Sequence, residues 1–587
     1  MSKYTVLKED SKAYAYYAKK KTDLEQLEQG YKKQLLFLGW LRLFVFLVIV
    51  SNFFTLNDYV LVLVLVELML LVVFILILRT YFDKKDLLAY TRRQLVRVND
   101  YRKGICYSNG EQFIPRSHDF AQDLDLLGPD SFFEKINFTS TQEGEAVLAE
   151  MLLSNKTEKI ELRQSLVEEL SQKNDFRLEF FASSDPTDAS GIYNFLKNYR
   201  PIIFKWSKRL TPIFSIVSIL LIGATVFGYI SYVIPMFWAI IGLGITGLHF
   251  KSINEFSAIT DRLLPVLKQQ VKLLCKINDL SLESSLGNEL MEKLGNRPDL
   301  ILKELSEPIS RLDQRNNMLM GIVLNGFMLW DIWQMQQIQS WLVFYEEQWK
   351  NWRYVLQEID AFNSLAEYTF QNEDLVFPEL NYSNGKMEFE QLGHPLINTR
   401  DLVCNDLSIE QGSLWVITGP NMAGKSTFLR AVGMAVVMSN IGLPVRAKKM
   451  IYQPIKLISS MRTSDSLMEQ SSYFHAELHR LKYVLDHAID QSYFVLLDEI
   501  LKGTNSTDKA EGSFKFLEKI HQGPSTVFVA THDLSLGGLI EKNKLVFNYY
   551  FEAVVADEEL VFDYKLRSGL SQNRNASHLM RKMGLLD

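Results

Sequence analysis

Residues 34–78 hold two apolar runs separated by only a few positions, and a water-soluble core of ordinary size does not absorb such segments. Residues 34–54 contain LLFLGWLRLFVFLVIV, and residues 59–78 read YVLVLVLVELMLLVVFILIL. A second pair follows at 213–230 and 231–250. Each run approaches the roughly 20 apolar residues with which a helix crosses about 30 Å of hydrocarbon. In that medium every backbone polar group must be satisfied internally, so the runs read as helices. The short connection within each pair makes each a transmembrane helical hairpin.

Lys32, Lys33, Arg79, Lys84 and Lys85 bracket the first hairpin, and Lys205, Lys208, Arg209 and Lys251 the second. The turns carry almost no charge, Asp58 being the exception. The positive-inside rule then puts both termini in the cytoplasm. Arg42 and Glu67 interrupt the first hairpin. Measured from the shared turn, Arg42 lies about 18 Å down its helix and Glu67 about 12 Å. A long arginine spans that gap, and an intramembrane charge needs a partner, so a structural ion pair is expected. A third apolar stretch, 318–342, carries Asp331, Gln334, Gln336, Gln337 and Gln339 in its second half. It reads as a soluble buried helix rather than a span.

The rest of the 587 residues exceeds one core, and three or four domains are expected. The formal net charge of −6 gives no general basic signature of a nucleic-acid binder. Phosphate contacts would have to come from local groups such as Arg446, Lys448 and Lys449, or Arg581 and Lys582. Cys106, Cys275 and Cys404 lie far apart without a CxxC, which suits a reducing compartment and no zinc site. The polar start, with Lys19, Lys20 and Lys21, does not read as a secretory signal.

The chemistry is concentrated late in the chain. Gly419-Pro420-Asn421-Met422-Ala423-Gly424-Lys425-Ser426-Thr427 matches GxxxxGK[ST], between a strand-like SLWVIT and a helical stretch. Backbone N–H groups of such a loop cradle phosphates, Lys425 reaches the β- and γ-phosphates, and the Ser426 hydroxyl ligates magnesium. The apolar run at 493–497 ends in Asp498 and Glu499. Asp498 would hold the magnesium, directly or through water, and Glu499 would polarise the attacking water. A further strand ends in Thr531-His532, and His532 would sense the γ-phosphate. His475 and His479 are spaced H-A-E-L-H rather than H-E-x-x-H, so a metal site is not expected there.

The spelling GPNMAGKST closely resembles the loop of the MutS mismatch-repair ATPases, with Ala423 in place of one glycine. That exchange requires only that the position avoid positive φ. Gly393-His394-Pro395-Leu396 resembles the family's approach to its ATPase domain. Asp498-Glu499-Ile500, with Gly503-Thr504 and Ser506-Thr507-Asp508, resembles its DEIGRGTST segment. Residues 562–569 resemble its closing strand, and Thr531-His532 its switch histidine. Ser472-Tyr473-Phe474-His475-Ala476-Glu477 is similar to its STFMVE signature. The resemblance implies that Ser472 completes a partner's nucleotide site across a homodimer. Tyr473 replaces the usual threonine there, and Glu469-Gln470-Ser471 departs from the family pattern. Upstream, 123–128, 137–141 and Arg163-Gln164 resemble the MutS core domain; Leu329-Trp330-Asp331 and 358–366 resemble its lever helices.

The family's N-terminal mismatch reader, carrying Phe-x-Glu, has no counterpart at the start of this chain. Residues 268–319 read as plain helix, without room for a DNA clamp, and no Smr-type tail follows the ATPase. The expected architecture is multidomain α and α/β. It comprises a cytoplasmic segment (1–33), hairpin 1 (34–80), a MutS-like core part (81–208), hairpin 2 (209–251), lever helices (252–385) and a C-terminal α/β P-loop ATPase (386–587). The expected function is that of an ATP- and Mg2+-dependent, dimeric, MutS-like ATPase in a bacterial cytoplasmic membrane, in contact with lipid. DNA is a partner implied by the resemblance alone. An ABC-like membrane ATPase and an ATP-switched scaffold without a DNA role are the alternatives.

Overall fold

The computed structural model describes residues 9–55, 60–105, 108–184, 207–295, 297–312, 318–383, 385–461, 473–502, 504–541, 545–556 and 559–570. Most of the chain is helical, with mixed sheets confined to the carboxyl-terminal part.

Helices α1 (Lys12–Thr55) and α2 (Val60–Lys103) are 44 residues each and pack along one another. A helix of that length measures about 66 Å, twice the thickness of bilayer hydrocarbon. Each is therefore longer than a hydrocarbon layer is thick, and its two halves differ in what they pack against. Along the halves that lead to the turn, apolar side chains such as Leu36, Phe37, Trp40 and Met69 are exposed. At the far ends Ala13, Tyr17, Leu24, Leu95, Val98 and Tyr101 join the main hydrophobic core. Arg92 donates to Glu28 (2.9 Å) and Arg102 to Tyr14 (3.2 Å), which sets the antiparallel register.

That register does not make the expected Arg42–Glu67 pair. The Arg42 guanidinium lies 5.0 Å from the Tyr81 ring centroid, roughly 20 Å further along α2 than Glu67. Glu67 Oε1 is buried and has no hydrogen-bond partner among the described residues. The stagger of the two helices matches the arginine to an aromatic face instead of a carboxylate.

A compact bundle follows: α3 (Phe132–Ile136), α4 (Gln142–Leu153), α5 (Ile160–Gln172) and α6 (Asn174–Ser183). The second apolar pair forms α7 (Ser207–Val226) and α8 (Val233–Leu248). Helix α8 bends by 62° into α9 (Phe250–Asn278). By length and composition three described helices could cross a membrane, or four if the bent pair counts as one span. Helices α10 (Ser285–Leu294) and α11 (Pro298–Leu312) come next.

The stretch expected as one buried helix is broken into α12 (Met318–Met328) and α13 (Trp330–Phe344). Leu329 stands between them at φ 50°, ψ 44°, the left-handed region that ends a helix run for a residue with a Cβ. Asp331, Gln334, Gln336 and Gln339 of α13 are buried as expected, but Gln337 is exposed and the first turns of α12 expose their apolar side chains. Helix α14 (Glu346–Gln371) is the central rod, contacting α3, α4, α5 and α6. Its Asp360 accepts hydrogen bonds from the Ser140 and Thr141 N–H groups and the Thr141 hydroxyl, so one carboxylate anchors the start of α4.

The remainder is built on two sheets. One has the order β1-β5-β2-β3, from β1 (Glu379–Leu380), β2 (Lys386–Leu392), β3 (Asn405–Glu410) and β5 (Lys449–Tyr452). The other has the order β12-β9-β4-β8-β7-β6. Its members are β4 (Leu414–Thr418), β6 (Lys456–Ser460), β7 (Tyr493–Asp498), β8 (Thr526–Thr531), β9 (Val546–Tyr550) and β12 (Arg567–Ser568). From β9 to β6 every pairing is parallel, and only β12 runs antiparallel. The sequences LWVIT, YFVLL and TVFVAT are buried throughout, the pattern of strands covered on both faces. Helices α15 (Lys425–Ile441), α16 (Tyr473–Ala488) and α17 (Ser506–Ile520) pack around it, and β10 (Ala553–Ala556) and β11 (Glu559–Phe562) form a separate hairpin.

Candidate functional site

Parallel register gathers the sequence motifs. Thr418 at the end of β4 pairs with Thr531 at the end of β8, and Ala530 pairs with Asp498 at the end of β7. Three segments far apart in the chain therefore leave the sheet side by side, at the edge where parallel α/β sheets hold ligands.

After β4 the loop turns sharply into α15. Gly419 has φ 149°, and a Cβ there would stand 2.7 Å from the Phe551 carbonyl oxygen. Gly424 caps α15 at φ 98°. Between them Met422 takes φ 69° and is 85% exposed, whereas Ala423 is buried and is not among the left-handed residues. Alanine is therefore accommodated where the resembling family has glycine. Pro420 gives its carbonyl oxygen to Lys425, and Asn421 and Thr427 are exposed at the loop's mouth.

Lys425, 5% exposed, donates from Nζ to the Gly419 and Pro420 carbonyl oxygens at 2.9 and 3.0 Å. Burial pulls its ammonium pKa below the ordinary value, opposed by the Glu499 and Asp498 carboxylates. The Ser426 hydroxyl donates to Asp498 Oδ2 at 2.5 Å. Burial raises the Asp498 carboxyl, while the Ser426 hydroxyl and the Lys502 ammonium pull it back.

Glu499 sits at φ 48°, a strained backbone held by its N–H donating to the Ala530 carbonyl at 2.8 Å. Its Oε1 lies 3.6 Å from His532 Nδ1 and its Oε2 3.8 Å from Lys502 Nζ. Glu477 of α16, almost fully buried, accepts from the Lys502 N–H at 3.1 Å and so props the turn that follows Glu499. Ser472 lies outside the described residues.

A cavity of about 500 Å³ opens over the loop, lined among others by His394, Asn421, Lys425, Ser426, Glu499 and Tyr564. Its size suits a small organic ligand. His394 is buried, and its pKa is pushed down to about 4 by burial and by the Arg430 and Lys135 charges. The ring is thus neutral at physiological pH. The motif reading did not assign His394, Glu477 or Tyr564 to the site. All three stand only as letters in resembling segments, and Tyr564 reaches Gly424 from the distant closing strand region.

The family model for MutS domain V matches residues 415–585. The DNA mismatch repair protein MutS of Desulforamulus reducens is 34% identical over 242 residues, covering 39% of this chain and 27% of that protein. The MutS of Acetivibrio thermocellus is 32% identical over 241 residues, 40% of this chain and 27% of its own length. That of Clostridium kluyveri is 32% identical over 231 residues, 37% and 26%. The chain spans about a quarter of the length of these curated relatives. Residues 415–585, which carry the whole loop and strand-end cluster, match MutS domain V, and that domain together with the relatives supports a MutS-family protein.

Proposed function

We propose that this protein is a membrane-attached, MutS-type ATPase that hydrolyses Mg-ATP at the strand-end cluster and works as a homodimer. The observation that carries the reading is the convergence of Lys425, Ser426 and Glu499 on one cavity at the carboxyl ends of β4 and β7, with Asp498 hydrogen-bonded to Ser426 beside it. The relatives bear the name DNA mismatch repair protein, which supports an ATPase of that kind and makes DNA a candidate partner. The apolar helices support attachment to a bacterial cytoplasmic membrane, and the basic flanks favour a cytoplasmic site. The division into hairpins, core, levers and ATPase belongs to the same proposal.

The donor set suits magnesium, because a hydroxyl and a carboxylate already meet within hydrogen-bonding distance. A bound magnesium ion would neutralise phosphate charge between Ser426 and Asp498. Lys425 now satisfies two loop carbonyls, and from that position it can turn to the β- and γ-phosphates. Glu499, with His532 and Lys502 on its two oxygens, is held where it can orient and deprotonate a water. Ser472 would contribute from the second subunit.

The test is steady-state ATP hydrolysis by the purified protein in nanodiscs, with and without homoduplex, mismatched and branched DNA at two salt concentrations. The reading expects Mg-dependent turnover. Stimulation that fades as salt rises would add a DNA role, since phosphate contacts weaken steeply with salt. Robust turnover indifferent to DNA would mean that the engine drives something else. Absence of Mg-dependent turnover would overturn the proposal.

A further inference from the structure

We propose that α12 is a re-entrant membrane element: a broken half-helix that enters lipid beside α7 and α8, with acyl chains as the partner of its exposed apolar side chains. The inference rests on the reading that α7 and α8 cross the membrane.

Two contacts set its depth. The Ser215 hydroxyl lies 3.4 Å from the Met328 carbonyl oxygen, and Ser215 is roughly 10 Å along α7 from Lys208. On the other side the last turns of α12 close on α8 through glycine. A Cβ on Gly242 would collide with the Gly326 carbonyl oxygen, and one on Gly326 would stand 3.3 Å from the Ala239 Cβ. Gly242 lies about 9 Å inside the end of α8 at Leu248. Both anchors therefore sit at similar depth within the apolar hairpin. Small residues that let backbones approach are the usual means by which helices associate in hydrocarbon.

The break at Leu329 is also built for a place without water. The Asn325 side chain, nearly fully buried, donates to the Gly321 carbonyl at 3.0 Å and accepts from the Asp331 N–H at 3.0 Å. The Ser215 hydroxyl, which donates to the Thr211 carbonyl at 2.9 Å, also approaches the Met328 carbonyl at 3.4 Å. Groups freed by the interruption are thus taken up inside the protein, the condition under which broken helices persist at membrane depth. The first turns of α12 show the opposite pattern. Leu319, Met320, Ile322 and Val323 are exposed, and they add to the exposed apolar surface of Ile213, Ile216, Ile219 and Leu220 on α7. In water such a patch is a liability; against acyl chains it is ordinary. Beyond Leu329 the chain runs through α13 directly into α14, so the central rod has a membrane-embedded end of its own besides the two hairpins.

The test is spin-label accessibility in nanodiscs, in a background with Cys106→Ser, Cys275→Ser and Cys404→Ser. Labels go at Met320→Cys and Val323→Cys, with Ile219→Cys as the hairpin reference and Leu300→Cys on α11 as the aqueous reference. All four side chains are exposed, so labels leave the packing intact. The proposal expects labels at 320 and 323 to collide readily with oxygen and little with a water-soluble nickel chelate, as at 219 and opposite to 300. Nickel access at 320 and 323 with 219 shielded would overturn it and leave the hairpin standing. Protection from both reagents would mean a protein partner instead of lipid, and would overturn it too. Nickel access at 219 as well would sink the hairpin reading and this inference together.

Discussion

His394 is held neutral by burial and by the two cations that face it, Arg430 and Lys135. In the unfolded chain its ring takes a proton below its ordinary pKa of 6.5, and in the folded chain only near 4. Between those values the unfolded state binds more protons, so the stability that the neutral ring contributes is present above pH 6.5 and is lost as pH falls towards 4. The thermal midpoint of the full chain should fall across that window, and His394→Gln should make the fall shallower. An unchanged pH slope in the variant would refute this role. At this scale the sequence was informative where chemistry is local. Lys425 and Ser426 are neighbours in one loop, and Asp498 and Glu499 close one strand. Glu477 and Tyr564 were not legible as site residues, because they arrive from elsewhere through packing. The Arg42–Glu67 expectation failed because helix stagger leaves no trace in residue spacing.

Where elements meet, one buried cluster ties the first hairpin to the central rod. Arg177 of α6 and Glu367 of α14 form an ion pair at 2.9 Å with both side chains almost fully buried, and the Tyr17 hydroxyl of α1 donates to the same carboxylate at 2.6 Å. Removing one partner of such a pair strands the other charge, at a cost of about 3–5 kcal/mol. Arg177→Met should therefore lower stability by that order in denaturant unfolding, and adding Glu367→Gln should recover part of it. Equal loss in the single and double variants would contradict the argument. The apolar halves of the two long helices were legible as apolar runs, since length and hydropathy suffice to find them, but their polar halves, residues 12–33 and 79–103, were not read as parts of the same helices. The break at Leu329 was not, because one left-handed leucine leaves no mark on a pattern of apolar and glutamine residues.

For the molecule as a whole, a single hydrophobic cluster runs from Tyr17 and Val98 on the first hairpin, through Phe362 on α14, to Trp415 and Phe528 in the main sheet. The first helical pair is thus part of the folding core. A fragment starting at residue 108 loses Ala13, Tyr17, Leu24, Leu95, Val98 and Tyr101 from that cluster. It should aggregate, or be digested rapidly in limited proteolysis, and a stable soluble fragment would show that the hairpin is dispensable. The same continuity links the strand-end cluster to α1 and α2, although the motifs gave no hint that the polar halves of these helices dock so deeply.

The central claim is that Lys425, Ser426, Asp498 and Glu499 form one hydrolytic site. It is tested most directly by single-turnover incubation of Mg-ATP with the nanodisc protein, followed by rapid isolation and identification of the retained nucleotide. The account predicts that wild type releases phosphate, that Glu499→Gln retains intact ATP with turnover reduced at least about 100-fold, and that Lys425→Ala retains neither nucleotide. Hydrolysis by Glu499→Gln at the wild-type rate, or ATP retention undisturbed by Lys425→Ala, would contradict it.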